Sequence, residues 1–122
     1  ANIEARTSGS EISFGNNVNI NNNFSVTAEK KITIGNNCLI GFNCKMSDSN
    51  FHDLNPDNRL QTDPNPQEVT ISDNVFIGND VTILKGVAIG RNSVIAARSV
   101  VTKSFKDNVV IAGNPAKVVK EL

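Results

Sequence analysis

The sequence has a single histidine, only two cysteines and no net charge, since twelve basic residues balance twelve acidic ones. A zinc site needs several His or Cys ligands, so one His argues against metal binding. Cys38 and Cys44 lie six residues apart, and we expect two free thiols that pack as small hydrophobic side chains. The balanced charge gives no overall field that would attract nucleic acid or an anionic membrane.

Long apolar runs are also absent from the sequence. No segment approaches the eighteen or so apolar residues that a membrane span needs, and no charged, apolar, small-residue leader opens the chain. We therefore expect a soluble cytoplasmic protein. The 122 residues are enough for one domain. The chain does not begin with Met and its first repeats are weak, which suggests that an N-terminal segment has been removed.

A six-residue repeat runs through most of the chain. A bulky apolar residue returns with a small or apolar residue four positions later, and the next unit follows after six. The pairs are Phe14 and Val18, Ile20 and Phe24, Ile34 and Cys38, Ile40 and Cys44, Ile71 and Val75, Ile77 and Val81, Ile83 and Val87, Ile89 and Ser93, Ile95 and Ser99, and Val101 and Phe105.

Each repeat unit combines a strand pattern with a turn pattern. Alternation of inward and outward residues, as in Val75 to Ile77, favours a short strand. Gly-Asn-Asn and Gly-Asn-Asp sequences favour tight corners, because Gly and Asn tolerate a positive φ. Three units make a triangular turn of eighteen residues, so Ile71 should stack beneath Ile89 and Ile77 beneath Ile95 at the strand spacing of about 4.8 Å.

This pattern resembles the left-handed parallel β-helix of the hexapeptide-repeat acyltransferases, closest to the O-acetyltransferases of sugars and polysaccharides. The resemblance implies an all-β domain over residues 1–122, a left-handed parallel β-helix of about four triangular coils. The hand comes from the family alone, since general rules favour right-handed crossovers. The family forms threefold trimers, and a thin prism with flat apolar faces also favours self-association. We therefore expect a homotrimer.

Two departures interrupt the repeat. Eight residues instead of six separate Val26 from Ile34, which predicts a corner bulge near residues 28–31. A larger break follows Met46, and the repeat resumes only at Ile71. We expect residues 52–70 to form an ordered active-site arm that protrudes towards a neighbouring subunit, because long excursions from a compact domain are usually functional or disordered.

The only His of the chain, His52, stands at the root of this arm. Its neutral imidazole can accept a proton near pH 7. The sequence Ser-Asp-Ser-Asn-Phe-His-Asp at residues 47–53 resembles the catalytic loop of the family. That resemblance implies that His52 deprotonates an acceptor, which attacks an acetyl thioester directly, without a covalent enzyme intermediate.

A catalytic imidazole needs an acceptor for its second ring nitrogen. Asp53, Asp48 and nearby carbonyl groups are the candidates. We favour Asp53, although the same residue could simply cap a turn. We also expect Asp48 and Arg59 to contact the acceptor substrate.

The C-terminal sequence, with Ala-Gly-Asn-Pro-Ala-Lys at residues 112–117, resembles the coenzyme A segment of the family, and we assign residues 107–122 to it. The resemblance implies that acetyl-CoA binds along the coil past Asn79 and Ala97, with the backbone amide of Asn79 as oxyanion donor. It also implies that Thr102, Lys103, Lys117 and Lys120 contact the coenzyme, the lysines through its phosphates.

Some residues depart from the family pattern, and other functions stay open. Phe76 stands where many relatives have Trp, and Ala96 and Arg98 flank Ala97 where glycines are common. The expected function is acetyl transfer to a hydroxyl of a sugar or a bacterial surface polysaccharide, such as a capsule or lipopolysaccharide. The alternatives are N-acetylation of a nucleotide-linked aminosugar or another small amine, and a non-catalytic β-helix scaffold. A zinc-dependent carbonic anhydrase of this fold would need several His ligands, which the chain lacks.

Overall fold

The computed structural model describes all 122 residues as short strands joined by tight corners. The strands are β1 (Asn2–Ala5), β2 (Glu11–Phe14), β3 (Asn19–Ile20), β4 (Ser25–Ala28), β5 (Lys31–Ile34), β6 (Leu39–Ile40), β7 (Lys45–Ser47), β8 (Val69–Ile71), β9 (Phe76–Ile77), β10 (Thr82–Ile83), β11 (Ala88–Ile89), β12 (Val94–Ile95), β13 (Val100–Val101), β14 (Val109–Gly113) and β15 (Ala116–Glu121). One 3₁₀ turn, Pro56–Asn58, lies between β7 and β8. The structure contains no helix that is long and apolar enough to cross a membrane.

The strands form three sheets that are the faces of a prism. The first sheet has the order β1-β4-β7-β10-β13, the second β2-β5-β8-β11, and the third β3-β6-β9-β12-β14-β15. All pairings are parallel except that of β14 with β15. Ile71 pairs with Ile89 and Ile77 with Ile95, which confirms the eighteen-residue period.

The solenoid has more levels than the four or so that the repeat predicts. Five strands stack on the first face and six on the third. The repeat does not predict the first level, because every residue of β1 is exposed and the strand therefore has no buried apolar repeat. At the other end, β15 folds back antiparallel on β14, so the C-terminal segment continues the third sheet.

The inward residues of the three faces form one continuous core. It contains 22 buried residues, most of them Ile and Val, and includes the repeat positions Ile77, Ile83, Ile89 and Ile95. Each such side chain stabilises the fold by roughly 1.5–3 kcal/mol through burial. Cys38 and Cys44 are free and buried in this core, as the sequence predicts. Burial raises the pKa of both thiols, which keeps them protonated.

Three columns of corners join the faces, and each column is named after the feature that lies in it. The arm corner joins the first face to the second, at residues 6–10, 29–30, 48–68, 84–87 and 102–104. The asparagine corner joins the second to the third, at residues 15–18, 35–38, 72–75, 90–93 and 106–108. The groove corner joins the third to the first, at residues 21–24, 41–44, 78–81 and 96–99.

Asparagine marks these corners for a conformational reason. At the asparagine corner, Asn17, Asn37, Asn74, Asn92 and Asn108 all have φ between 58° and 65°. This left-handed region is unfavourable for most side chains but is tolerated by Asn. Their carboxamides also bond along the stack, for example from Asn74 to Asn92 over 3.0 Å and from Asn92 to Asn108 over 2.8 Å.

Both predicted interruptions lie at the arm corner. β4 ends at Ala28 and β5 begins at Lys31, so the extra residues form the expected bulge. The arm is the segment between β7 and β8, residues 48–68, because Val69 and Thr70 already pair with β5. It therefore starts and ends a little earlier than the 52–70 predicted from the repeat.

Candidate functional site

His52 lies in the arm with its side chain exposed to solvent. Its Nδ1 atom is 2.9 Å from the backbone oxygen of Arg59, which is on the opposite side of the arm. A carbonyl oxygen can only accept, so Nδ1 carries the proton and Nε2 of the neutral ring has a free lone pair. The arm therefore presents an oriented proton acceptor.

The predicted orienting residue, Asp53, has another role. Its carboxylate accepts a hydrogen bond from the backbone N–H of Asn55, at 2.9 Å, and so closes a local turn. Asn55 in turn caps the 3₁₀ turn through the N–H of Asp57. The acceptor that faces the imidazole is the backbone carbonyl of Arg59, and nearby carbonyl groups are among the candidates that the sequence offers.

Asp48 is not placed to contact an acceptor substrate. Its side chain is fully buried, and its two oxygens accept the backbone N–H groups of Glu29, Lys30 and Lys31 at 2.7–2.8 Å. These three amides belong to the bulge at the arm corner, where the missing strand partners leave them unpaired. Asp48 therefore stabilises the bulge, and the substrate-binding role predicted for it is wrong.

Arg59 does lie on the accessible surface of the arm. Its guanidinium donates to the backbone oxygen of Leu54 at 3.2 Å and has exposed N–H groups left over. The leucines beside it, Leu54 and Leu60, are 69% and 94% exposed. The exposed surface of the arm thus combines His52, one cation and two uncovered apolar side chains.

A groove of about 440 Å³ lies along the third face and the groove corner. Its walls combine apolar side chains of that face, including Leu39, Phe76 and Val94, with the small corner residues Gly41, Gly78, Ala96 and Ala97. Gly78 is required there, because a Cβ atom would come within 2.8 Å of the Ala97 nitrogen in the next coil. A narrow apolar channel lined with backbone suits a flexible chain such as pantetheine.

The backbone amide of Asn79 lines this groove with no acceptor of its own. The Asn79 side chain accepts the N–H of Phe42, one level below, at 2.8 Å. One level above stands Ala97, which has no side-chain oxygen to offer. The N–H of Asn79 has no hydrogen-bond partner within the chain and is available to a bound group.

The residues predicted to bind coenzyme A lie on different parts of the prism. Asn79 and Ala97 are at the groove corner. Thr102 and Lys103 follow β13 at the arm corner, and the Lys103 ammonium is 5.6 Å from the centre of the Phe105 ring. Lys117 and Lys120 are exposed on β15, at the edge of the third sheet. Within one chain, Thr102 and Lys103 are therefore separated from the groove, whereas Lys117 and Lys120 lie on the same sheet as the groove.

Two repeat models match the chain. Residues 68–103 match the bacterial transferase hexapeptide, and residues 31–47 match the hexapeptide repeat of succinyl-transferases. The chain belongs to the hexapeptide-repeat acyltransferase family. Its fold is the left-handed parallel β-helix of that family.

Individual relatives agree with this assignment. A hexapeptide-repeat acetyltransferase of Vibrio cholerae O1 biovar eltor, solved in complex with acetyl coenzyme A, is 31% identical with a TM-score of 0.83. The match covers 98% of this chain and 64% of that one. The polySia-specific acetyltransferase NeuO is 33% identical with a TM-score of 0.80, over 93% of this chain and 53% of that one.

A curated relative is the galactoside O-acetyltransferase of Escherichia coli strain K12, which is 45% identical over 71 residues. This match covers 58% of the chain. The first curated relatives are longer proteins, and the chain covers only 33–36% of their length.

Proposed function

We propose that the chain is an acetyl-CoA-dependent O-acetyltransferase whose acceptor is a sugar or a bacterial surface polysaccharide. The observation that carries this proposal is the combination of the apolar groove, the free N–H of Asn79 inside it, and an oriented imidazole at His52. The acetyl-CoA complex of the Vibrio cholerae relative and the polySia specificity of NeuO support the donor and the acceptor class.

In this mechanism the donor supplies an acetyl thioester, and the chain supplies a base and an oxyanion donor. Nε2 of His52 removes the proton of an acceptor hydroxyl as that oxygen attacks the thioester carbonyl. The N–H of Asn79 donates to the negative charge that develops on the carbonyl oxygen. As the carbon–sulfur bond breaks, the imidazolium returns its proton to the leaving thiolate. The Arg59 carbonyl holds the ring and favours the cation formed in between.

The groove favours acetyl-CoA over an acyl donor that lacks a long flexible chain. Its small corner residues leave space along the backbone, while Leu39 and Phe76 offer apolar contact to the pantetheine chain. Lys103, Lys117 and Lys120 are exposed, and Lys117 and Lys120 lie on one strand. These ammonium groups can bind the phosphates of the coenzyme.

A complete site requires two protomers. The groove is lined by no residue of the arm, and the groove corner and the arm corner lie at opposite edges of the first face. That face is roughly 15 Å wide, from the length of its strands and corners. A threefold trimer that places the groove corner of one protomer against the arm corner of the next unites Asn79 with His52. It also adds Thr102 and Lys103 to the coenzyme site.

The direct test is release of free coenzyme A from acetyl-CoA in the presence of a panel of acceptors. The panel contains neutral and acidic oligosaccharides, sugar nucleotides and aminosugars. Transfer to a hydroxyl supports the proposal, whereas transfer only to amino groups selects the N-acetyltransferase alternative. No acetyl-CoA binding and no transfer to any acceptor would favour a scaffold.

A further inference from the structure

The turn that presents His52 has an unfavourable backbone conformation. Phe51, the residue directly before His52, has a φ of 64°. A bulky aromatic residue rarely adopts this left-handed conformation, and it persists only where the surrounding contacts impose it. The contacts around residues 49–51 therefore determine where the imidazole points.

Three kinds of contact hold this turn. The N–H of Phe51 donates to Ser49 Oγ at 2.8 Å, and the N–H of Asn50 donates to Asp63 Oδ2 at 2.8 Å. The guanidinium of Arg6 lies 4.8 Å from the centre of the Phe51 ring. Ser49 is itself held by the carboxylate of Glu29, in the corner bulge.

Asp63 links the turn to the rigid coil. Its carboxylate is 6% exposed and accepts hydrogen bonds from the Asn50 amide, the Asn65 amide and the Lys85 ammonium at 2.8–2.9 Å. The Lys85 ammonium also donates to the backbone oxygen of Asn65 at 2.9 Å. Burial alone would raise the pKa of Asp63, but these donors outweigh it and lower the pKa to about 2. The carboxylate is therefore charged near neutral pH and is held by three donors.

The position of Lys85 explains why this linkage is stiff. It lies at the arm corner two residues after β10, and its neighbour Gly86 donates its N–H to the backbone oxygen of Gln67 at the end of the arm. The Gln67 N–H in turn donates to the backbone oxygen of Asp48 at the start of the arm, at 2.8 Å. Both ends of the arm are therefore fastened to the coil beside Lys85.

We propose that Asp63 and Lys85 are positioning residues for His52, which transmit the fixed geometry of the coil through Asn50 to the strained turn at Phe51. The inference rests on the proposed role of His52 as the base. Neither side chain contacts the imidazole. Their task is to keep Nε2 where the acceptor hydroxyl arrives, since a displacement of about 1 Å is enough to cost roughly 10²-fold in rate.

The sole histidine gives this proposal a readout that does not depend on activity. In ¹H–¹³C spectra, His52 gives the only imidazole Cε1–H signal of the chain, because it is the sole histidine. In the wild type we expect one signal, at a shift that reflects an Nδ1–H bonded to the Arg59 oxygen. A loosened turn should move this signal towards the value of an unstructured peptide.

The test compares Lys85→Met with Lys106→Met, a control that removes an exposed ion pair with Glu121 far from the arm. Lys85→Met should lower kcat about 10 to 100-fold, leave the KM for acetyl-CoA unchanged, and shift the His52 signal. Lys106→Met should change none of these. Lys85→Arg, which restores a cationic donor, should recover part of the lost kcat and should move the His52 signal back towards its wild-type position. Asp63→Asn should reproduce the effects of Lys85→Met.

Two results separate the possible failures. If folded Lys85→Met keeps the wild-type His52 signal and kcat, the positioning role is wrong. If the wild type transfers no acetyl group but the signal shifts in Lys85→Met and not in Lys106→Met, the linkage exists and the proposed function is wrong. Should Asp63→Asn not fold, Lys85→Met still decides, because it leaves the backbone bonds to Asp63 in place.

Discussion

The imidazole of His52 and the backbone oxygen of Arg59 lie 2.9 Å apart, across the two sides of the arm. This contact fixes the tautomer with no carboxylate partner. It follows that the side chain of residue 59 can change without loss of the orienting contact, whereas the path of the arm backbone cannot.

His52→Gln should lower acetyl transfer about 10² to 10⁴-fold, because the amide keeps polarity and approximate size but cannot carry the proton. The fold and acetyl-CoA binding should survive. Coenzyme A release, measured with the best acceptor of the panel, checks the rate. Asp57→Asn, an exposed substitution in the same arm, is the control and should leave the rate of coenzyme A release unchanged. A His52→Gln enzyme with near wild-type rate from pH 6 to 8 would remove His52 from the mechanism.

Ala97→Phe should abolish acetyl-CoA binding, because the ring occupies the groove beside Asn79. The fold should be unchanged, since Ala97 is exposed and outside the core. Calorimetric titration with acetyl-CoA measures the affinity. Ala88→Phe places the same ring on the exposed side of the second face, away from the groove, and should bind normally. Unchanged affinity in Ala97→Phe would place the donor elsewhere.

The chain should form a stable trimer with sites shared between protomers. Light scattering at micromolar concentration measures the mass, and a stable monomer would contradict the proposal. Co-assembly of His52→Gln with Ala97→Phe chains gives a sharper test. Random mixing in equal amounts should restore about a quarter of wild-type activity, because about three quarters of the trimers are then mixed and each mixed trimer holds one site of three with an intact groove and an intact arm. Sites within single chains would stay inactive in every mixture.

Acid should weaken the arm through Asp63. Its pKa is about 2 in the folded chain against an ordinary value of 3.8. The depressed value contributes stability above pH 3.8 that is lost as the pH falls through about 2. The shift corresponds to a contribution on the order of 2 kcal/mol.

Urea unfolding of the wild type and Asp63→Asn at pH 5 and at pH 2 measures this contribution. The stability advantage of the wild type should shrink by about that amount at the lower pH, because the carboxylate then loses its charge. An advantage that is equal at both values would show that the Asp63 charge does not stabilise the fold.

The repeat alone determined most of the architecture. A strand residue in a solenoid meets its neighbour one period later, so the pairing of Ile77 with Ile95 can be predicted by counting. The free buried thiols of Cys38 and Cys44, the bulge after Ala28 and the existence of the arm follow from the same count. The first coil could not be found this way, because β1 buries none of its residues.

The roles inside the arm were decided only by the tertiary structure. Asp48 and Asp53 look alike beside His52 in the sequence, but one is buried under the bulge at residues 29–31 and the other closes a turn. Asp63 and Lys85 are 22 residues apart and carry no shared pattern, yet they meet at 2.8 Å. An irregular loop has no period, so its contacts depend on how it folds back onto the coil. The repeat therefore determined the scaffold, and the fold of the arm determined which polar groups hold His52 in place.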